Sequence, residues 1–155
     1  MNESIVKDPA ILSKKSAPID FKKDKAFLKL LINKMTATVY EHKDDCVGLA
    51  APQVGVLSKV VAVYFEDKLD FYVNPTIVGH STTTYMVEEG CMSIDDTHIV
   101  KRYHWVKVIY RDRKGNIHME TFSGRIAQIL QHEIDHLNGT SLPSVMAPTP
   151  RCPMF

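Results

Sequence analysis

Two histidines four residues apart, with a glutamate directly after the first, stand at Gln131-His132-Glu133-Ile134-Asp135-His136. On an α-helix that spacing brings both imidazoles to one face, a turn apart, where they can share one metal ion. Glu133 is not a ligand in such a pattern. It stands beside the ion, placed to take a proton from water. A tetrahedral catalytic ion needs three protein ligands and one open position. Downstream of His136 the chain has no His, Asp or Glu, and Cys152 is the only candidate, inside a proline-broken tail. The third ligand is therefore expected upstream, where Glu88-Glu89-Gly90-Cys91-Met92-Ser93 offers several groups.

The pattern needs a helix to carry it. Ser123 is a fitting N-cap, Ile126, Ala127, Ile129, Leu130, Ile134 and Leu137 recur at helical spacing, and Gly139 sits where a left-handed stop is wanted. Ile126, Leu130, Glu133 and Leu137 fall on one stripe with His132 and His136 along its flank, and Gln128, Gln131, Asp135 and Asn138 are expected on the far side. A glutamate in an apolar stripe is expensive unless paired, hydrogen-bonded or protonated. An ordinary surface helix with two unrelated histidines fits that stripe poorly.

Three segments in order carry a resemblance: Gly48-Leu49-Ala50-Ala51-Pro52-Gln53, Glu89-Gly90-Cys91-Met92-Ser93 and Gln131-His132-Glu133-Ile134-Asp135-His136. Together they resemble the three motifs of the peptide deformylases, and the similarity runs roughly from Ile5 to Gly139. Two positions depart from the usual family pattern: Cys46 stands for a glycine and Met92 for a leucine. Both keep the side chain small or apolar, so no reacting group is lost.

The resemblance implies Cys91, His132 and His136 as the metal ligands. Taken alone, Cys91 reads as readily as a small buried hydrophobe. One sulfur and two nitrogens suit Fe²⁺ or Zn²⁺ by softness and geometry. The resemblance implies Fe²⁺ in the cell, with Zn²⁺, Ni²⁺ or Co²⁺ as substitutes. It also implies the reaction, hydrolysis of the formyl group from an N-terminal formylmethionine. Glu133 becomes the proton carrier, and the Gln53 amide with the backbone N–H of Met92 stabilises the oxyanion. Gly48 and Leu49 receive substrate backbone as an added strand, and Ile129 lines the methionine pocket. Formylmethionyl nascent chains at the ribosome are the implied partners of a monomeric enzyme.

Composition bounds the rest. The chain has 155 residues, 45% of them hydrophobic and 24% charged, which fits one soluble catalytic domain over 1–155 with a proline-rich tail at 140–155. A net charge of +1 makes no electrostatic case for nucleic acid or an anionic membrane. No apolar run approaches a membrane span, and Met1-Asn2-Glu3-Ser4 opens neither a signal nor a transit peptide. Three scattered cysteines suit a reducing compartment, so the cytoplasm is expected.

Along the chain, residues 1 to 20 read as an irregular arm broken by Pro9 and Pro18, followed by a helix with Phe27, Leu28, Leu31, Ile32, Met35 and Val39 on its apolar face. Its lysines read as a solvated face. Cys46 to Gly55 reads as a small-residue loop. Strands are expected at Lys59 to Phe65 and Leu69 to Val73, the second ended by Pro75. One or two more fall within Thr76 to Val87. A hairpin turns at Lys114-Gly115-Asn116 between Val106 to Arg111 and Ile117 to Phe122. The expected class is α+β, with mainly antiparallel sheets around a central metal-bearing helix. His42, His80, His98, His104 and His118 lack partners at ligand spacing, and Asp135 is expected to pair with an arginine such as Arg102. An H-E-x-x-H endopeptidase and a metal-binding relative without catalysis are the rival readings. The missing downstream ligand opposes the first, and retention of Gln53, Cys91 and Glu133 opposes the second.

Overall fold

The computed structural model describes residues 5–44 and 46–141. Cys152 and the tail from 142 onward lie outside the described residues.

The alternating β-branched run at 60–65 explains the architecture. Strand β2 follows β1 (Gly48–Ala50) and covers Val60–Phe65. Its Val60 and Ala62 point to one face of the sheet and Val61 and Val63 to the other, and all four are buried. A strand apolar on both faces needs cover on both, and two helices provide it. Helix α1 (Pro9–Leu12) is a single turn. Helix α2 (Lys25–Glu41) lays Leu28, Leu31, Ile32, Met35 and Val39 over the first face. Helix α3 (Gly124–Leu137) lays Ala127, Ile129, Leu130, Ile134 and Leu137 over the second. Each large side chain sealed in this way contributes about 1.5–3 kcal/mol.

The remaining strands are β3 (Lys68–His80), β4 (Thr84–Cys91), β5 (Ile94–Tyr103), β6 (Trp105–Arg111) and β7 (Ile117–Ser123). They form a five-stranded sheet in the order β1-β2-β3-β6-β7 and a separate ribbon of β4 with β5. All named strand pairs are antiparallel. The α+β expectation, with antiparallel sheets around the helix bearing the histidines, holds.

Several local expectations change. The N-terminal arm is not wholly irregular: Pro9 opens α1 because its missing N–H is needless at the first helical position, and Asp8 caps the turn by accepting from the Ala10 N–H at 2.9 Å. Cys46 to Gly55 is not a plain loop. It holds β1 and a 3₁₀ turn, Ala51–Val54, closed by Gly55 at φ 84°. Pro75 does not end β3, which runs on to His80. It sits in a bulge between Val73 and Thr76, where no ladder N–H is required of it. Neighbouring Asn74 takes φ 51° and turns its amide to the arm, accepting from Ile19 N–H at 2.8 Å and donating to Ile19 C=O at 2.9 Å. Strand β5 was not expected at all.

Ser123 does occupy the N-cap of α3, in extended conformation, but its side chain makes no capping hydrogen bond. Gln128 and Gln131 are buried rather than on a solvated far side. Gln131 clamps the main chain of β5, accepting from Tyr103 N–H at 2.8 Å and donating to Tyr103 C=O at 3.0 Å.

Candidate metal centre and its surroundings

Helix α3 presents His132 and His136 from consecutive turns, with ring centroids 5.1 Å apart. Cys91 arrives from the end of β4, past a register shift after Glu89 and just before the turn at Met92 and Ser93 that closes the ribbon. All three side chains are buried, and their ligand atoms lie within 4.8 Å of one another. Cys91 Sγ is 3.4 Å from His136 Nε2. Donors around one tetrahedral ion with bonds of about 2.0–2.3 Å sit about 3.3–3.8 Å apart, so this pair is already at ligand spacing.

The electrostatics ask for a cation. Burial pushes the His132 imidazolium down, yet Glu133, Cys91 and Glu89 outweigh it and hold the group up at about 10. A metal ligand must offer a bare nitrogen, so a protonated His132 and a metal-bound one exclude each other. Both answer the same negative surroundings, and a divalent ion between three donors answers them better than a proton on one. His136 moves the other way, well below its ordinary value, through burial first and then the charges of His132 and Arg102.

Glu133 is fully buried, and neither carboxylate oxygen has a hydrogen-bond partner among the described residues. Burial first, with Glu89 and Asp135 adding to it, pushes it up to about 7 against the pull of His132 and Arg102. A carboxyl poised near neutrality beside a candidate ion is suited to carry a proton in both directions. Gly48 faces it. A Cβ there would stand 2.5 Å from Glu133 Oε2 and 2.8 Å from Ile129 Cγ2, so only glycine leaves that approach open.

Gln53 is held in place from the other side. Its Oε1 accepts from Ala50 N–H at 2.9 Å, which turns Nε2 toward Ser93 Oγ at 3.2 Å and Cys91 Sγ at 3.5 Å. Met92 lies in the turn between β4 and β5, with its side chain in the α2-side core. Leu49 is also buried in that core, so its side chain faces away from the centre and only its main chain is left for a substrate. Cys46 stays in the same core, donating to Gly48 C=O at 3.2 Å.

Sequence reasoning missed how His132 is held. Its Nδ1 lies 2.9 Å from Glu89 Oε1. Glu89 also accepts from Arg102 at 2.6 and 2.9 Å and from Gln128 at 3.0 Å. Arg102 reaches Asp135 on α3 at 2.6 Å, as the sequence reading expected. Burial alone would raise Glu89, but Arg102 and His132 hold it down at about 2. Glu89 stands two residues before Cys91, and strand period alone would set the two on one side.

A family model for the polypeptide deformylases matches residues 2–151. The chain belongs to the polypeptide deformylase family. It is 42% identical to the peptide deformylase of Brachyspira hyodysenteriae over 120 residues, 72% of this chain and 63% of that deformylase, so the match spans under two thirds of that relative. With the Thermotoga neapolitana peptide deformylase the identity is 37% over 145 residues, 93% of this chain and 85% of that one. Among solved structures, the actinonin-bound class I type b deformylase of Acinetobacter baumannii superposes with a TM-score of 0.83 at 34% identity, covering 92% of this chain and 97% of that one. The Met-Ala-Ser-bound form of the same deformylase gives 0.82 at 34% identity, covering 90% and 96%.

Proposed function

We propose that this chain removes the formyl group from the N-terminal formylmethionine of newly made polypeptides, with residues 1–155 acting as one catalytic domain. Family membership makes it a metal-dependent hydrolase of the formamide bond. The observation that carries the residue roles is the buried Glu133 carboxylate, partnerless among the described residues, beside Cys91, His132 and His136. When bound there, a transition-metal ion would supply Lewis-acid activation of water and of the formyl oxygen.

The chain's own groups do the remainder. Glu133 takes the proton released as water adds to the formyl carbon and delivers it to the departing amine nitrogen as the C–N bond breaks. Gln53 Nε2 and the Met92 backbone N–H meet the formyl oxygen as it gains charge, each such donor being worth a few kcal/mol, roughly 3–4. Substrate main chain lies along β1, over the space Gly48 leaves open, with Leu49 taking part through its main chain. Ile129, one turn before Glu133 and facing the same glycine, lines the pocket for the methionine side chain. Cys91, His132 and His136 suit Fe²⁺ as the native ion, with Zn²⁺, Ni²⁺ or Co²⁺ as substitutes. The partners are formylmethionyl nascent chains at the ribosome, met in the cytoplasm by a monomer. No helix of the described residues is long and apolar enough to cross a membrane.

The Met-Ala-Ser complex of the Acinetobacter deformylase suggests the probe. Anaerobically prepared protein should release formate from formyl-Met-Ala-Ser, and acetyl-Met-Ala-Ser should be left intact. Internal cleavage of casein without formate release would make it an endopeptidase instead. The same preparations should hold about one transition-metal ion per chain, by the three-ligand logic of such sites. Cys91→Ala should lose the ion and Cys46→Ala should keep it, because the Cys46 sulfur lies in the α2-side core. Metal analysis finding the reverse would remove Cys91 from the site.

A further inference from the structure

Helix α3 ends in a way that bears on its second histidine. Asn138 is the C-cap and Gly139 follows at φ 79°. Gly139 N–H donates to His136 C=O at 3.1 Å and Thr140 N–H to Asp135 C=O at 2.9 Å, the paired bonds of a Schellman stop. The stop reverses the chain, and the reversal brings Ser141 back over the last turn. Its Oγ lies 3.1 Å from His136 Nδ1. The N-terminal arm closes over this turn: Ser16 N–H donates to Leu137 C=O at 2.9 Å, and a Cβ at position 139 would collide with the Ser13 carbonyl oxygen.

An imidazole that gives its Nε2 lone pair to an ion carries its proton on Nδ1, and that proton needs an acceptor when buried. His132 has an ionised carboxylate for the purpose, Glu89. His136 is fully buried, its Nε2 faces Cys91 Sγ, and its Nδ1 faces the Ser141 hydroxyl. We propose that Ser141 is a positioning residue for the metal centre: its hydroxyl oxygen accepts from His136 Nδ1–H, fixing the tautomer and ring plane that aim Nε2 at the ion. The two histidines are then unlike ligands. His132 is backed by a charge and is the stronger donor, while His136 is backed by a neutral hydroxyl on the turn that reverses the chain and is the one whose grip depends on how the chain leaves α3.

This inference rests on the metal-site reading, and its test does not require turnover. Zinc affinity is measured by chelator competition on the full chain for wild type, Ser141→Ala, Ser141→Thr and His136→Ala. In parallel, ¹⁵N NMR of the zinc-loaded protein reports the tautomer of each ring. The expected loss for Ser141→Ala is about tenfold or more, the usual scale for removing a hydrogen-bond partner of a ligating histidine. Ser141→Thr keeps the hydroxyl and should restore most of it. The wild-type spectrum should show His136 protonated at Nδ1. Zinc held by Ser141→Ala as tightly as by wild type overturns the proposal while leaving the site intact. So does a loss that Thr fails to restore, or a zinc-loaded wild type whose His136 carries its proton on Nε2. Tight zinc binding by His136→Ala would overturn the site and the proposal together.

Discussion

Glu133→Gln is expected to lower formate release from a formyl-Met peptide by at least about 10²-fold, the usual scale for a positioned general base, while the ion stays bound. Glutamine matches glutamate in size, so the approach past Gly48 and Ile129 is unchanged. It cannot take a proton from water. The buried carboxyl it replaces has no hydrogen-bond partner among the described residues, so the substitution breaks no hydrogen bond and exchanges a desolvated acid for a neutral amide. His132→Ala, by contrast, should lose ion and activity together. Metal content and initial rate are to be read on the same samples. A Glu133→Gln protein with its ion and near wild-type turnover would remove Glu133 from the mechanism, and one without its ion would make Glu133 a ligand.

Arg102→Met should destabilise the metal-free protein by roughly 3–5 kcal/mol, the range for removing one partner of a buried ion pair. Arg102 is buried and bridges Glu89 on β4 to Asp135 on α3. Methionine fills similar space but takes the guanidinium away from the fully buried Glu89, leaving it to His132 and Gln128. The acid limb should move as well. Glu89 is held at about 2, below its ordinary 4.5, so its ionised contribution is complete above pH 4.5 and is lost as the pH falls toward 2. Without Arg102 the largest favourable influence on the ionised form is gone and burial raises the group, so acid unfolding should begin at higher pH. Urea titrations at neutral pH and an acid titration of both proteins measure this. A change under 1 kcal/mol at neutral pH would mean that water already solvates Glu89.

What could be read without coordinates was the chemistry that repeats at fixed spacing. His132 and His136 lie on one helical face because 3.6 residues make a turn, and the valines at 60, 61 and 63 announce a strand because side chains alternate. Strand β5 escaped because its buried positions include Arg102, a residue that reads as surface until Glu89 and Asp135 are known to flank it. The same long-range pairing buries Gln128 and Gln131, whose polarity alone points outward. Pro75 was misplaced for a different reason: a bulge forgives the missing N–H, and bulges have no periodic signature. For the site, Glu133 could be named from its place between the histidines, whereas Glu89 and Ser141 act through contacts 43 and 5 residues away in the chain that no local pattern announces.

The β4–β5 ribbon shares no ladder with the larger sheet among the described residues. Its ties to the body are side-chain contacts, among them Gln131 on Tyr103, Asp135 on Arg102, His132 and Gln128 on Glu89, Gln53 on Ser93, the meeting of Cys91 with His136, and Met92 in the α2-side core. A ribbon fastened by side chains without a shared ladder is a candidate for opening apart from the larger sheet. An ion shared by Cys91 and the two histidines would bind only the closed arrangement, and by mass action would lower the population of every open one. Hydrogen exchange of the ribbon amides should therefore slow on metal loading more than exchange in the five-stranded sheet.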